Sequence, residues 1–154
     1  MIIRYCITLC LIALLGVAYF QQQQAGLPVT SLQAEVQTEP HCGPAALYLI
    51  CRADEVPVSF AELKQQASLT KRGTNLMSLK TAALNVGLQA QGLQSSLSEL
   101  HASLHQSSGR AILHLPNRQH FVAVLSSTPE ALCVVDPALG CAYWDASRLA
   151  QEGW

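Results

Sequence analysis

Gln37-Thr38-Glu39-Pro40-His41-Cys42-Gly43-Pro44-Ala45-Ala46-Leu47 sets a cysteine at the start of an apolar helix, with a glutamine just upstream. Proline is tolerated in the first helical turn, where its missing N–H is not needed, so Pro44 puts the helix start near Cys42. A thiol there has two reasons to be acidic. The unpaired N–H groups of the first turn and the positive end of the helix dipole both favour the thiolate, which is the reactive form. Gly43 removes side-chain bulk beside the sulfur. Ala45 to Cys51 is apolar on nearly every side, so this helix is expected to run through the middle of a domain. His41, next to the thiol, is read either as modulating it or as facing solvent.

Upstream, Met1-Ile2-Ile3-Arg4 is a short basic start and Tyr5 to Leu15 a continuous apolar run, followed by the small residues Gly16-Val17-Ala18. Residues 1–20 are therefore expected to be a signal peptide or a signal anchor. If retained, Ile2 to Phe20 is close to the lower limit for spanning a bilayer, with Arg4 on the inner side. The body is then exported, periplasmic or extracellular, and either freed by cleavage or anchored in the inner membrane by residues 2–20. Residues 21–32, which open on Gln21 to Gln24, read as a polar linker, and residues 33–154 as one domain with a single core. A net charge of −1 with no basic stripe argues against nucleic acid as a partner, because phosphate neutralisation needs clustered Lys and Arg.

Export makes the cysteines matter. Cys6 and Cys10 belong to the leader, leaving Cys42, Cys51, Cys133 and Cys141, which allow two disulfides in three connectivities. Cys133 and Cys141 flank a tight turn and are able to face each other across it. Cys51 lies nine residues beyond Cys42, on the opposite side of the same helix, so those two cannot pair. Taken alone, Cys42 in an exported protein is most simply half of a disulfide with Cys133 or Cys141. The residues downstream argue for a different use.

Ser59-Phe60-Ala61-Glu62 has the capping-box pattern and opens a helix to about Ala67. After Asn75, Leu76, Leu79, Ala83 and Val86 recur at helical spacing, and Gly87 closes that helix. Leu88 to Leu93 is expected to be a short strand. Ser96-Leu97-Ser98-Glu99 repeats the capping box, with Leu97, Leu100 and Leu104 on one face. His101 and His105 are one turn apart, but no third ligand lies near them in sequence, so they read as an exposed helix face and no metal or cofactor is expected. The last third switches to strands: Ala111 to Leu115, His120 to Leu125, Ala131 to Val135 and Cys141 to Trp144, with Asp145 capping a final short helix. Helices first and an antiparallel sheet after make an α+β domain.

His120 opens a strand after a polar turn, and Asp136 ends the next strand where the chain turns again. Neighbouring antiparallel strands are able to bring the two together, the carboxylate fixing the imidazole tautomer while the other ring nitrogen faces Cys42. Thiolate, imidazolium and orienting acid are the parts that nucleophilic attack on a carbonyl requires. Each residue singly has a plainer reading, as a structural histidine and a turn aspartate.

Four matches in order make the chain resemble the double-glycine leader peptidases, bacteriocin-processing cysteine peptidases with a papain-like fold. They are Gln37 with Cys42-Gly43-Pro44-Ala45-Ala46-Leu47, Gly73-Thr74-Asn75-Leu76 through Gly87-Leu88, Asn117-Arg118-Gln119-His120-Phe121-Val122-Ala123-Val124, and Val134-Val135-Asp136-Pro137-Ala138-Leu139-Gly140. The resemblance implies a Cys42 nucleophile, a His120 base, an Asp136 orienter, and Gln37 with the Cys42 N–H as the oxyanion hole. It also implies a peptide or protein substrate cut after a Gly-Gly pair, and a separate export system, since many relatives are fused to an exporter. Four residues separate Gln37 from Cys42, one fewer than the family pattern, so Gln37 needs a shifted backbone to reach the oxyanion. Two other classes fit the same residues: a peptide-binding module that has lost catalysis, and a transglutaminase-like acyl-transfer enzyme, which a thiol titration and added-amine product analysis distinguish from a peptidase.

Overall fold

A computed structural model describes residues 41–71, 73–107 and 109–154. The leader and linker readings on residues 1–20 and 21–32, and Gln37, lie outside the described residues. Helix α1 (Cys42–Ala53) begins where Pro44 requires, and it is buried from Gly43 to Leu47 and from Leu49 to Cys51. Helix α2 (Phe60–Gln66) carries the full capping box: the Ser59 hydroxyl accepts from the Glu62 N–H (3.2 Å) and the Glu62 carboxylate from the Ser59 N–H (3.0 Å). Helix α3 (Leu76–Asn85) is capped by the Asn75 side chain, which accepts from the Ser78 N–H at 2.9 Å, and Gly87 follows it at φ 88°. Leu79, Ala82 and Ala83 form its buried face, whereas Leu76, at the first position, is 49% exposed. Among the described residues no helix is long and apolar enough to cross a membrane.

Helix α4 (Leu97–Ser107) opens on a second capping box and turns Leu97, Leu100 and Leu104 inward. Then come β1 (Ala111–Leu115), a 3-10 turn (Pro116–Arg118), β2 (His120–Ser127), β3 (Leu132–Asp136), β4 (Gly140–Trp144) and α5 (Ala146–Gln151). The four strands form one antiparallel sheet in chain order. Asp145 caps α5 through the Arg148 N–H at 2.8 Å.

Both faces of this sheet are covered. Phe121, Ala123 and Val135 pack against α1, α2 and α3, while Val122, Val124, Leu132 and Val134 pack against Leu104 of α4, Leu149 of α5 and Trp144. That explains why β2 and β3 read as unbroken apolar runs rather than as alternating strands. Full burial of each such Val or Leu contributes roughly 1.5–3 kcal/mol, so this two-sided packing supplies much of the stability of the sheet.

Leu88 to Leu93 is not a strand. Burial does alternate there, with Leu88 and Ala90 half-buried against the α1 core and Gln89 exposed. The segment nevertheless joins neither edge of the β1-β2-β3-β4 sheet, and without a ladder alternation makes no strand. A solvent-facing His41 is likewise overturned: it is 6% exposed and packs edge-on against Phe60, with ring centroids 6.3 Å apart.

Gly43 is required by tertiary packing. A Cβ there would meet the Thr74 methyl at 2.5 Å, Leu79 at 3.2 Å and Phe121 at 3.3 Å. Thr74 is held in place because its hydroxyl donates to the Ala67 carbonyl at 2.5 Å. Gly43→Ala is therefore expected to lower stability by about 1–3 kcal/mol in denaturant unfolding. Adding Thr74→Ser, which deletes the methyl and keeps the hydroxyl, should recover part of that loss; purely additive effects would show that the two sites do not touch.

Candidate active site

Cys42 is the first residue of α1, and the helix there leaves backbone N–H groups without intrahelical partners. The Ala45 N–H bonds the His41 carbonyl (2.9 Å) and Pro44 has none, while the Gly43 N–H faces the Cys42 sulfur. Burial alone would push the Cys42 thiol up. Its hydrogen bond to His120, the N–H of Phe121, the charge on His120 and the N–H of Gly43 together outweigh that and hold it below the ordinary thiol value.

His120 enters from the sheet. The 3-10 turn and Gln119, held left-handed at φ 50° and ψ 44°, reverse the chain so that His120 becomes the first residue of β2. Its Nε2 lies 2.8 Å from Oδ1 of Asp136, which leaves Nδ1 as the nitrogen that faces the Cys42 sulfur. Burial of the ring works against its charge. The hydrogen bonds to Asp136 and Cys42, with the negative charge of each, more than compensate and push the imidazole up to about 9.

Asp136 closes β3 and is 2% exposed. The antiparallel register Ala123↔Val135, Val124↔Val134 brings the start of β2 and the end of β3 to one end of the sheet, where α1 also begins. Besides His120, Oδ1 accepts the N–H groups of Ala138 (2.8 Å) and Leu139 (3.3 Å), an aspartate turn closing on its own backbone. Oδ2 pairs with Arg118 at 3.2 Å. Burial raises this carboxyl, but the His120 bond and charge, the Ala138 N–H and Arg118 prevail, so it stays ionised below the usual carboxylate range.

Three of the four residues proposed from sequence thus converge, from the start of a helix, the start of one strand and the end of the next. Gln37 is the fourth and lies outside the described residues. Cys51 is fully buried in α1, its thiol raised to about 11 by burial and by Asp54. Cys42 stands beside His120, and Cys133 stands beside Cys141 with the sulfurs 4.0 Å apart, so a Cys42 disulfide to either of them is not the arrangement found.

Two further residues complete the charge pattern and were not singled out from sequence. Arg118 bridges Asp136 and Glu152 (Nη1 to Oε1, 3.4 Å), and Glu152, 5% exposed, also pairs with Arg148 at 2.7 Å. One weak signal for Glu152 was available. An acidic residue at a helix C-terminus opposes the dipole and so asks for a cationic partner from elsewhere. In chemical terms the site places a thiol held below its ordinary value beside an imidazole that is itself bonded to a buried carboxylate.

Residues 31–153 match the Peptidase C39 family. Two uncharacterised proteins, from Methanothermobacter marburgensis and Methanothermobacter thermautotrophicus, are 32% and 30% identical to the chain over 99 residues, 64% of its length. The chain spans 66% of each, just under two thirds of these curated relatives. Among solved structures, a double glycine motif protease from an AMS/PCAT transporter, in complex with the leader peptide, superposes with a TM-score of 0.59 at 22% identity, over 71% of this chain and 76% of that one. The peptidase domain of Streptococcus ComA, a bi-functional ABC transporter involved in a quorum sensing pathway, gives 0.63 at 20% identity, over 73% and 84%. At such identities the likeness shows the fold, which is the α+β fold of these peptidase domains.

Proposed function

The chain belongs to the Peptidase C39 family of cysteine peptidases, and from that premise we propose that it cuts a leader or precursor peptide after a Gly-Gly pair, using Cys42, His120 and Asp136. The observation that carries this reading is the His120 ring lying between the Cys42 thiol and the Asp136 carboxylate. The Cys42 thiolate attacks the scissile carbonyl. The side-chain amide of Gln37 and the backbone N–H of Cys42 hold the oxyanion. His120 then passes the proton on Nδ1 to the leaving amine, and afterwards takes one from the water that hydrolyses the thioester. Asp136 keeps the ring in the tautomer and orientation this needs. In the same reading residues 1–20 carry the body out of the cytoplasm, where residues 2–20 can retain it at the inner membrane and a separate export system presents the substrate.

The test is incubation of the full chain with synthetic peptides containing a Gly-Gly pair, with product masses read against Cys42→Ala. A single cut after the second glycine, ending in a free carboxylate and absent from the variant, is the expected result. Bound but uncut peptide would leave a binding module in its place, and amide products formed with an added primary amine would make the protein an acyl transferase.

A further inference from the structure

We propose that Cys133 and Cys141 form an intramolecular disulfide that clamps the β3–β4 hairpin around Asp136. In the antiparallel pairing Cys133 stands opposite Tyr143 and Val135 opposite Cys141, which makes the two cysteines diagonal neighbours on one face of the sheet. Their sulfurs are already in contact at 4.0 Å. A disulfide brings them to about 2.05 Å, which draws the two diagonal strand positions together as well as turning the side chains. Other pairings are disfavoured, since Cys42 is engaged with His120 and Cys51 is fully buried within α1.

The two thiols differ in access and in acidity. Cys133 is 3% exposed, whereas Cys141 is half-buried and lies within reach of a small oxidant. The Cys133 thiol is lowered by the Cys141 hydrogen bond; its burial opposes this, and Ser126 and the charge of Arg110 add to it. Cys141, pushed up by its hydrogen bond to Cys133, by burial and by the charge of Cys133, makes the first attack the slow step. In the mixed disulfide that hydrogen bond is gone, and Ser126 and the charge of Arg110 are what still favour the Cys133 thiolate. Oxidised glutathione, or another small disulfide, first accepts attack from Cys141, releasing one thiol and leaving a mixed disulfide. Cys133 then displaces the second thiol and forms the intramolecular S–S bond. Two S–H bonds and the oxidant's S–S bond break, two electrons pass to the oxidant, and its two thiols take up the protons.

The closed loop contains Asp136 together with the Ala138 and Leu139 N–H groups that hold its Oδ1. Oxidation thus restrains the turn that fixes this carboxylate, and it does so whether or not the protein cuts peptides.

The experiment uses the full chain carrying Cys42→Ser, which removes the reactive thiol, equilibrated in glutathione buffers, acid-quenched, alkylated and digested with trypsin. No Lys or Arg lies between Cys133 and Cys141, so both fall in the peptide 119–148. That peptide should become two hydrogens lighter and lose both alkyl labels together, and the oxidised protein should melt several degrees above the reduced one. Cys141→Ser should abolish the difference without lowering the melting point of the reduced form. Full labelling in excess oxidised glutathione, a glutathione adduct on Cys141 that never closes, or a bond from either cysteine to Cys51 would each overturn the proposal.

Discussion

Replacing His120 with alanine should slow alkylation of Cys42 at about pH 5.5 by at least about tenfold and cut peptide cleavage by about 10²–10⁴-fold. At that pH only about one ordinary thiol in 10³ is ionised, whereas a thiol paired with an imidazolium is ionised far more often; lower intrinsic nucleophilicity returns part of the gain. In the variant the N–H groups of Phe121 and Gly43 still face the sulfur and offset part of its burial. The upper limit comes from His120. Its folded value is raised from 6.5 to about 9, so the stability it contributes is fully present below 6.5 and is lost as pH rises through about 9. Reactivity of the ion pair accordingly rises as pH climbs through the lowered Cys42 value, and cleavage declines near 9. Superimposable alkylation profiles for the wild type and His120→Ala would mean that the imidazole does not activate the thiol.

Asp136→Ala is expected to cost about 3–5 kcal/mol in equilibrium unfolding, the range for breaking a buried charge pair from one side. The carboxylate is 2% exposed and serves four partners, so its loss strands His120 and the Ala138 and Leu139 N–H groups and leaves Arg118 with Glu152. Asp136→Asn separates the two roles. Its carbonyl oxygen can still accept from the turn, so stability should fall less, while the loss of charge should lower the His120 value and weaken low-pH reactivity. The sign in acid follows from the depressed carboxyl: its contribution is present above 3.8 and disappears as pH falls through the folded value. Wild type should therefore lose stability on acidification by a component that Asp136→Asn lacks. An unfolding midpoint unchanged in Asp136→Ala would show that the turn holds itself without the carboxylate.

The features legible in the sequence act through near neighbours. Pro44 marks a helix start, Ser59 with Glu62 and Ser96 with Glu99 close capping boxes within a few residues, and Gly87 takes the left-handed position that ends α3. In each, donor and acceptor are tied by a short length of chain, so residue type and spacing suffice. Leu88 to Leu93 shows where this stops. Its alternating burial is real, yet a strand also needs a neighbour with unpaired N–H and C=O groups, and spacing does not reveal one. The same limit hid the burial of His41 under Phe60 and the bridge from Arg118 to Glu152, residues far apart in the chain.

By itself, then, the sequence determined the α+β order of elements, where each helix begins, and which cysteine, histidine and aspartate could do chemistry. Only the tertiary structure decided that Cys42 meets His120 while Cys133 meets Cys141, that Gly43 must be bare for Thr74, and that the sheet is buried on both faces. The reason is physical: the first set depends on backbone geometry over a few residues, and the second on which surfaces exclude water together once α1 is laid across the sheet.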